Sequence, residues 1–182
     1  MMRRLPVCLL TLLLFVSVCF WIIYVPPEAM RILKPVPAHA QIIRRGAQPD
    51  LYAPEQFRLF AGSASAEQFF RMFSDRPGIT ASVDLGGRNR RDTLVMVSPA
   101  GARAFLLRWR LNLFPPEGMK PIRSYGAWPV WQYSNPSLPP WMRVRFSVTE
   151  GLLICSISDD SHDIYYLLDT LDGRRPSADR KE

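Results

Sequence analysis

The sequence predicts an α+β fold, in which an N-terminal transmembrane helix precedes one domain. That domain has a mostly antiparallel sheet of about six strands, with two to three helices packed on one face. Three observations predict it: a long uncharged segment opens the chain, alternating segments occur in neighbouring pairs, and other segments carry apolar residues at helical spacing. Strand pairs joined by short turns favour antiparallel pairing, and the mixed order of helices and strands is typical of this class.

The opening segment covers residues 5–25, where fourteen of 21 residues are Leu, Val, Ile or Phe and none is charged. As a helix it is roughly 31 Å long, which is the thickness of the hydrocarbon core of a bilayer. Its apolar side chains favour insertion by about 4 to 8 kcal/mol. The segment therefore predicts attachment to the membrane lipid bilayer through residues 5–25.

Arg3 and Arg4 before an apolar run also suit a cleaved signal peptide, so the two interpretations must be separated. Residues 24–27 are Tyr-Val-Pro-Pro, and the first Ala-x-Ala pattern comes only at residues 38–40. Because cleavage needs small residues directly after the apolar run, we expect an uncleaved, single-pass anchor. A long domain after such an anchor is commonly carried across the membrane, which favours an extracytoplasmic position.

Composition divides the chain into four parts. Residues 1–25 are the anchor, and residues 26–54, with six prolines, are a spacer. Residues 55–173 form the α+β domain, which is long enough for a core of its own. Residues 174–182 are a charged tail that we expect to be disordered.

Periodicity and turn residues predict the strands and helices of the α+β domain. Strands are predicted over residues 79–85, 93–97, 122–125, 128–133, 143–148 and 152–158, and helices over residues 63–74, 98–113 and 159–171. Residues 152–155 are continuously apolar, which indicates a central strand. In the middle helix, one face carries Ala102, Phe105, Leu106, Trp109 and Leu113, and we expect it to pack on the sheet.

An unusual group of aromatic residues lies among prolines late in the domain. Its members are Trp128, Trp131, Tyr133 and Trp141. Flat aromatic surfaces suit a protein, peptide or glycan partner, or the membrane interface, and this group is the first candidate contact surface. The other interpretation places these rings in the core.

Ser161, His162 and Asp163 hold the side-chain types of a serine hydrolase. Residues adjacent in sequence seldom converge on one substrate, and no Gly-x-Ser-x-Gly elbow occurs. The same residues suit a helix start with a hydroxyl or Asp cap. With only two histidines in the chain, we predict no metal site and no cofactor.

Arg88, Arg90 and Arg91 lie in a glycine-containing turn that is a candidate contact for an anion. The pattern of a phosphate-binding loop is absent, and such a turn is more often simply solvated. The net charge of +7 comes from twenty arginines and three lysines against 16 acidic residues. We expect no nucleic-acid partner.

Taken together, these patterns favour a membrane-anchored, non-catalytic binding domain whose ligand the sequence does not name. A hydrolase that uses Ser161 or Ser156 with His162 is one alternative. A basic domain that contacts anionic lipid through Arg88, Arg90, Arg91 and the pair at residues 44–45 is another. Exposure of the aromatic group and the surroundings of His162 discriminate among them.

Overall fold

The computed structural model describes residues 4–23, 31–46, 78–86, 91–101, 103–136 and 138–180. The predicted helix over residues 63–74 lies outside the described residues, as do Arg88 and Arg90. In chain order the elements are α1 (Arg4–Ile23), β1 (Gln41–Gly46), β2 (Gly78–Val83), β3 (Thr93–Pro99), α2 (Arg103–Leu113), β4 (Met119–Pro121), β5 (Val130–Tyr133), β6 (Arg143–Thr149), β7 (Leu152–Ser158), α3 (Asp163–Leu171) and a 3₁₀ turn (Ala178–Arg180).

The strands form one seven-stranded sheet in the order β1-β2-β3-β7-β6-β5-β4, and every neighbouring pair is antiparallel. The α+β class and both predicted hairpins, β2–β3 and β6–β7, are confirmed. β7 is the central strand, and all of its residues are buried, as its continuous apolar run predicts. The predicted strand at residues 122–125 is replaced by β4, which ends at Pro121.

Helices cover both faces of the sheet, so the prediction of helices on one face is wrong. On one face, Ala104 and Leu111 of α2 pack with Phe146 of β6 and Cys155 of β7. On the other, Ile164, Leu167, Leu168 and Leu171 of α3 pack with a second set of strand residues. A strand whose side chains are buried on both faces needs cover from both sides. The domain therefore has three layers: helix, sheet and helix.

The apolar opening segment forms a helix of 20 residues, α1, which agrees with the predicted helical segment. The large side chains described in it are exposed, from Val18 at 45 % to Phe15 at 68 %. Within the described residues, no helix combines the length and the apolar character that a membrane crossing requires. The transmembrane assignment therefore stays a prediction.

Two segments predicted to lie outside the domain belong to it. β1 falls within the predicted spacer and adds an edge strand beside β2. Val36 is fully buried and packs in the core beneath α3. The predicted disordered tail pairs with this segment: Pro37 and Ser177 form a β-bridge, and the Ala178 amide donates to the Val36 carbonyl at 2.8 Å. Prolines remove amide donors, but they leave carbonyls free to accept across such a bridge.

Candidate functional site

α2 is held over the sheet by a sharp reversal after β3. The amides of Ala100 and Gly101 both donate to the Gly151 carbonyl at 2.7 Å. Gly101 has a φ of 56°, a left-handed conformation that glycine adopts without strain. The chain thus leaves the sheet and starts the helix at Arg103. At the other end, the Phe114 amide donates to the Arg110 carbonyl, and two prolines follow.

α2 carries two apolar stripes. Ala104 and Leu111 are buried, and Leu107 packs partly buried beside them. At about 100° per residue, the mean direction of Leu106, Trp109 and Leu113 lies about 160° from that of the buried stripe. One stripe therefore faces the sheet, and the other faces away from it.

The second stripe is exposed. Phe105 is 73 % exposed, Trp109 57 % and Leu113 53 %; Leu106 and, just beyond the helix, Phe114 are also exposed. We call these five residues the outer face of α2. The predicted packing of this stripe on the sheet is wrong, because Ala104, Leu107 and Leu111 pack against the strands instead.

Arginines border the outer face. Arg103 and Arg110 lie on one edge and are exposed. Arg108 lies nearer the buried stripe, and its guanidinium reaches the Ala127 carbonyl at 3.5 Å. The helix contains no Asp or Glu. The outer face is thus an apolar strip with positive charge along one border.

Trp131 and Tyr133, from the predicted aromatic surface, are buried at 0 % and 4 % exposure beneath α2. Because they alternate with Val130 and Gln132 along β5, they point to the α2 side of the sheet. The interpretation as core aromatics is therefore confirmed for these two residues. They are unavailable to a partner.

The two remaining tryptophans of that group have partners within the domain. Trp128 stacks on Tyr125 with ring centroids 5.8 Å apart on the α3 side. Trp141 lies on the α2 side, and the Arg91 guanidinium sits 3.9 Å from its ring centroid. Arg91 is therefore in a cation–π contact, and its amide donates to Asp159 at 3.3 Å. The three tryptophans form no joint surface.

Ser161, His162 and Asp163 are close in space but are not arranged as a hydrolase triad. Ser161 Oγ and Asp160 Oδ1 lie 3.3 and 3.0 Å from the same ring atom, His162 Nδ1. A triad needs the serine at one ring nitrogen and the carboxylate at the other. The His162 side chain is 84 % exposed, and Ser156 is buried within β7.

Asp163 points into the domain instead of toward His162. It is 4 % exposed, and Thr93 Oγ1 donates to it at 2.7 Å. The predicted hydroxyl or Asp cap is also wrong: His162 is the N-cap of α3, and it makes no side-chain cap hydrogen bond. Asp160 Oδ1 accepts from the His162 amide at 2.7 Å, which orders the turn just before the helix.

Arg145 joins that turn to the sheet. Its guanidinium donates to the Ser161 carbonyl and, at 2.9 Å, to Gln132 Oε1. Burial lowers the pKa of Arg145, and its Nε has no hydrogen-bond acceptor among the described residues. The residue fastens the start of α3 to β6, which is a structural role.

Metal ligands and reactive thiols do not converge in the described part of the chain. No group of three His, Cys, Asp or Glu side chains there could hold a metal ion. Cys155 is buried in β7, and burial raises the pKa of its thiol well above the ordinary value.

Comparison with known proteins yields no match: no protein-family model, no curated sequence and no solved structure resembles this chain. The outer face of α2 is therefore the candidate site on its own geometry. The sequence contained one indication of it, because α2 has apolar residues on two opposite sides while the sheet can cover only one.

Proposed function

We propose that this protein is a membrane-anchored, non-catalytic binding domain, and that its contact surface is the outer face of α2. The observation that carries this proposal is the exposure of Phe105, Leu106, Trp109 and Leu113 on one side of α2, and of Phe114 directly after the helix. Apolar patches of this kind on soluble domains commonly mark contacts with a protein or a membrane. The contact surface thus differs from the aromatic group that the sequence favours.

α1 is the proposed anchor. Its exposed side chains from Leu9 to Val18 are almost all large and apolar. A helix with such a surface avoids water by entering lipid. The proposed single-pass crossing, the uncleaved start and the extracytoplasmic position of the domain belong to the same proposal.

Alkaline carbonate extraction and flotation test the anchor. We expect the full chain to stay with membranes, and Leu13→Arg with Leu14→Arg to release it. Each arginine at the centre of a membrane helix costs about 2.5 to 3.5 kcal/mol, so two cost about 5 to 7 kcal/mol, which is similar to the insertion energy of the segment. Leu13→Ala with Leu14→Ala changes the same positions without charge and should remain attached.

Release of the unmodified chain by carbonate would refute the anchor. The side of the membrane is tested separately by a C-terminal reporter enzyme that is active only when its disulfides form. Activity of the fusion places the domain outside the cytoplasm, and inactivity of an intact fusion contradicts that position.

A further inference from the structure

We propose that the outer face of α2 lies on an anionic lipid bilayer, with its apolar side chains among the headgroups and upper acyl chains. Arg103 and Arg110 then lie against lipid phosphates. This inference rests on the proposed function, since α1 brings the domain to the membrane. It names the partner of the α2 surface and gives the domain a second, orienting contact.

The shape of the outer face fits a bilayer surface. Four of its residues lie on one side of a helix of 11 residues, and the fifth follows the helix directly. A helix that lies in the plane of a membrane buries such a stripe about 5 to 10 Å deep. Trp109 lies in the middle of the stripe, and tryptophan is enriched where apolar and aqueous layers meet.

The charges fit the same orientation. Arg103 and Arg110 stand at the border of the stripe, where long side chains reach headgroups while their stems stay in the apolar layer. α2 has no acidic residue to repel an anionic surface. Positive residues close to such a surface strengthen its attraction and make it sensitive to salt.

A second copy of the chain fits the outer face less well. A symmetric contact would place the same arginines near each other with no carboxylate on α2 to pair with them. Five side chains are also far fewer than the roughly 20 to 30 residues that each partner of a standard interface contributes. A bilayer supplies the negative charge itself and does not need a contact of roughly 20 to 30 residues.

Quenching of Trp109 by brominated lipid tests the contact directly. The full chain is synthesised without cells in the presence of vesicles, either phosphatidylcholine alone or mixed with phosphatidylglycerol. Because the chain has five tryptophans, the difference between the native chain and Trp109→Phe isolates Trp109. We expect this Trp109 component to be at least about twofold larger in the anionic vesicles and to fall in high salt.

Arginine variants provide the matched control. Arg110→Gln, and more so the double change with Arg103→Gln, should reduce the Trp109 component in anionic vesicles. Arg123→Gln removes an exposed charge near α3, where the Arg123 carbonyl accepts from the Tyr165 hydroxyl. That variant should leave the Trp109 component unchanged.

Flotation of the same samples separates the two possible failures. In one outcome, the chain floats with the vesicles, but brominated lipid quenches the native protein and Trp109→Phe equally. This result would overturn the inference and leave the anchor intact. A chain that does not float refutes the anchor and this inference together. The inference would also be overturned if Arg123→Gln reduced the Trp109 component as much as Arg110→Gln does. The net charge of the protein, rather than the position of the arginine, would then explain binding.

Protein occupants of the outer face give different outcomes. Protection of Trp109 from aqueous acrylamide without lipid quenching would assign the face to protein, and so would overturn the proposal. Disulfide cross-linking of Trp109→Cys, with Cys8 and Cys19 changed to Ser, then tests for a second copy. A covalent dimer forms when two Trp109→Cys side chains meet, whereas residues 47–77 contain no cysteine.

Discussion

The carboxylate of Asp163 is buried beneath the first turn of α3, and its hydrogen bond from Thr93 stabilises it there. Thr93→Val keeps the shape of the side chain and removes the donor. We expect this change to lower the free energy of unfolding by about 1 to 3 kcal/mol, because a buried acceptor loses a partner. Urea unfolding of the full chain in mild detergent measures it.

Ser82→Ala is the control for this prediction. Ser82 Oγ also donates to a carboxylate, that of Asp92, at 3.0 Å, but the pair is solvent-accessible. Water replaces the lost bond, so we expect a change within about 0.5 kcal/mol. Equal losses in the two variants would contradict the role of burial.

Cys155 illustrates how the fold changes the chemistry of a single residue. Its buried thiol has a raised pKa, so the thiolate that reacts with alkylating reagents is suppressed at pH 8. We expect alkylation of Cys155 to be at least about a hundredfold slower in the native chain than in urea, because access requires opening of the domain. Mass spectrometry of the peptide measures the rate, and similar rates in both states would refute the buried position.

At the scale of elements, the β6–β7 hairpin turns at Glu150 and Gly151, whose φ values are 48° and 75°. A two-residue turn with both φ values positive favours Asn-Gly, and glutamate is strained in that position. Glu150 also pairs with Lys34 at 2.8 Å, so replacing it with asparagine removes an ion pair as well as strain.

Comparison of Glu150→Asn with Glu150→Gln separates the two effects. Both variants lose the carboxylate, but asparagine adopts the left-handed conformation more readily. We expect Glu150→Asn to be more stable than Glu150→Gln by about 0.5 to 1 kcal/mol, as measured by urea unfolding. Equal unfolding free energies of the two variants would argue against the positive φ at position 150.

α2 shows, also at the scale of elements, that helical periodicity does not determine which face of a helix is buried. Helical spacing groups Phe105, Leu106, Trp109 and Leu113 correctly on one face, and larger side chains usually mark the buried side. Here the smaller stripe, with Ala104 and Leu111, packs on the sheet and the larger one stays outside. A local pattern states which residues share a face but not which face meets another element.

At the scale of the whole molecule, the segment before β1 and the C-terminal segment are joined by hydrogen bonds. The Ala38 amide donates to the Pro176 carbonyl at 3.1 Å, and Ser177 Oγ donates to the Leu33 carbonyl at 3.1 Å. Ala178 packs against the core that contains Val36. The C-terminal segment therefore closes the domain on the side of α3.

Ending the chain at residue 175 tests this closure. We expect a loss of about 2 to 5 kcal/mol of unfolding free energy, since Val36 becomes accessible and several hydrogen bonds disappear. A chain that ends at residue 180 retains these contacts and should match the full chain. Equal stability of the two truncated chains would show that the segment does not contribute.

The sequence by itself determined the α+β class, the two hairpins, the central place of β7 and the helical form of residues 4–23. These features depend on neighbours in the chain, and local periodicity and turn residues report them. Only the tertiary structure decided that helices cover both faces and that residues 31–46 and 176–180 join the domain. It also decided that Trp131 is buried while Trp109 is exposed. Burial depends on which distant segments compete for the same surface of the sheet, and no local pattern contains that information.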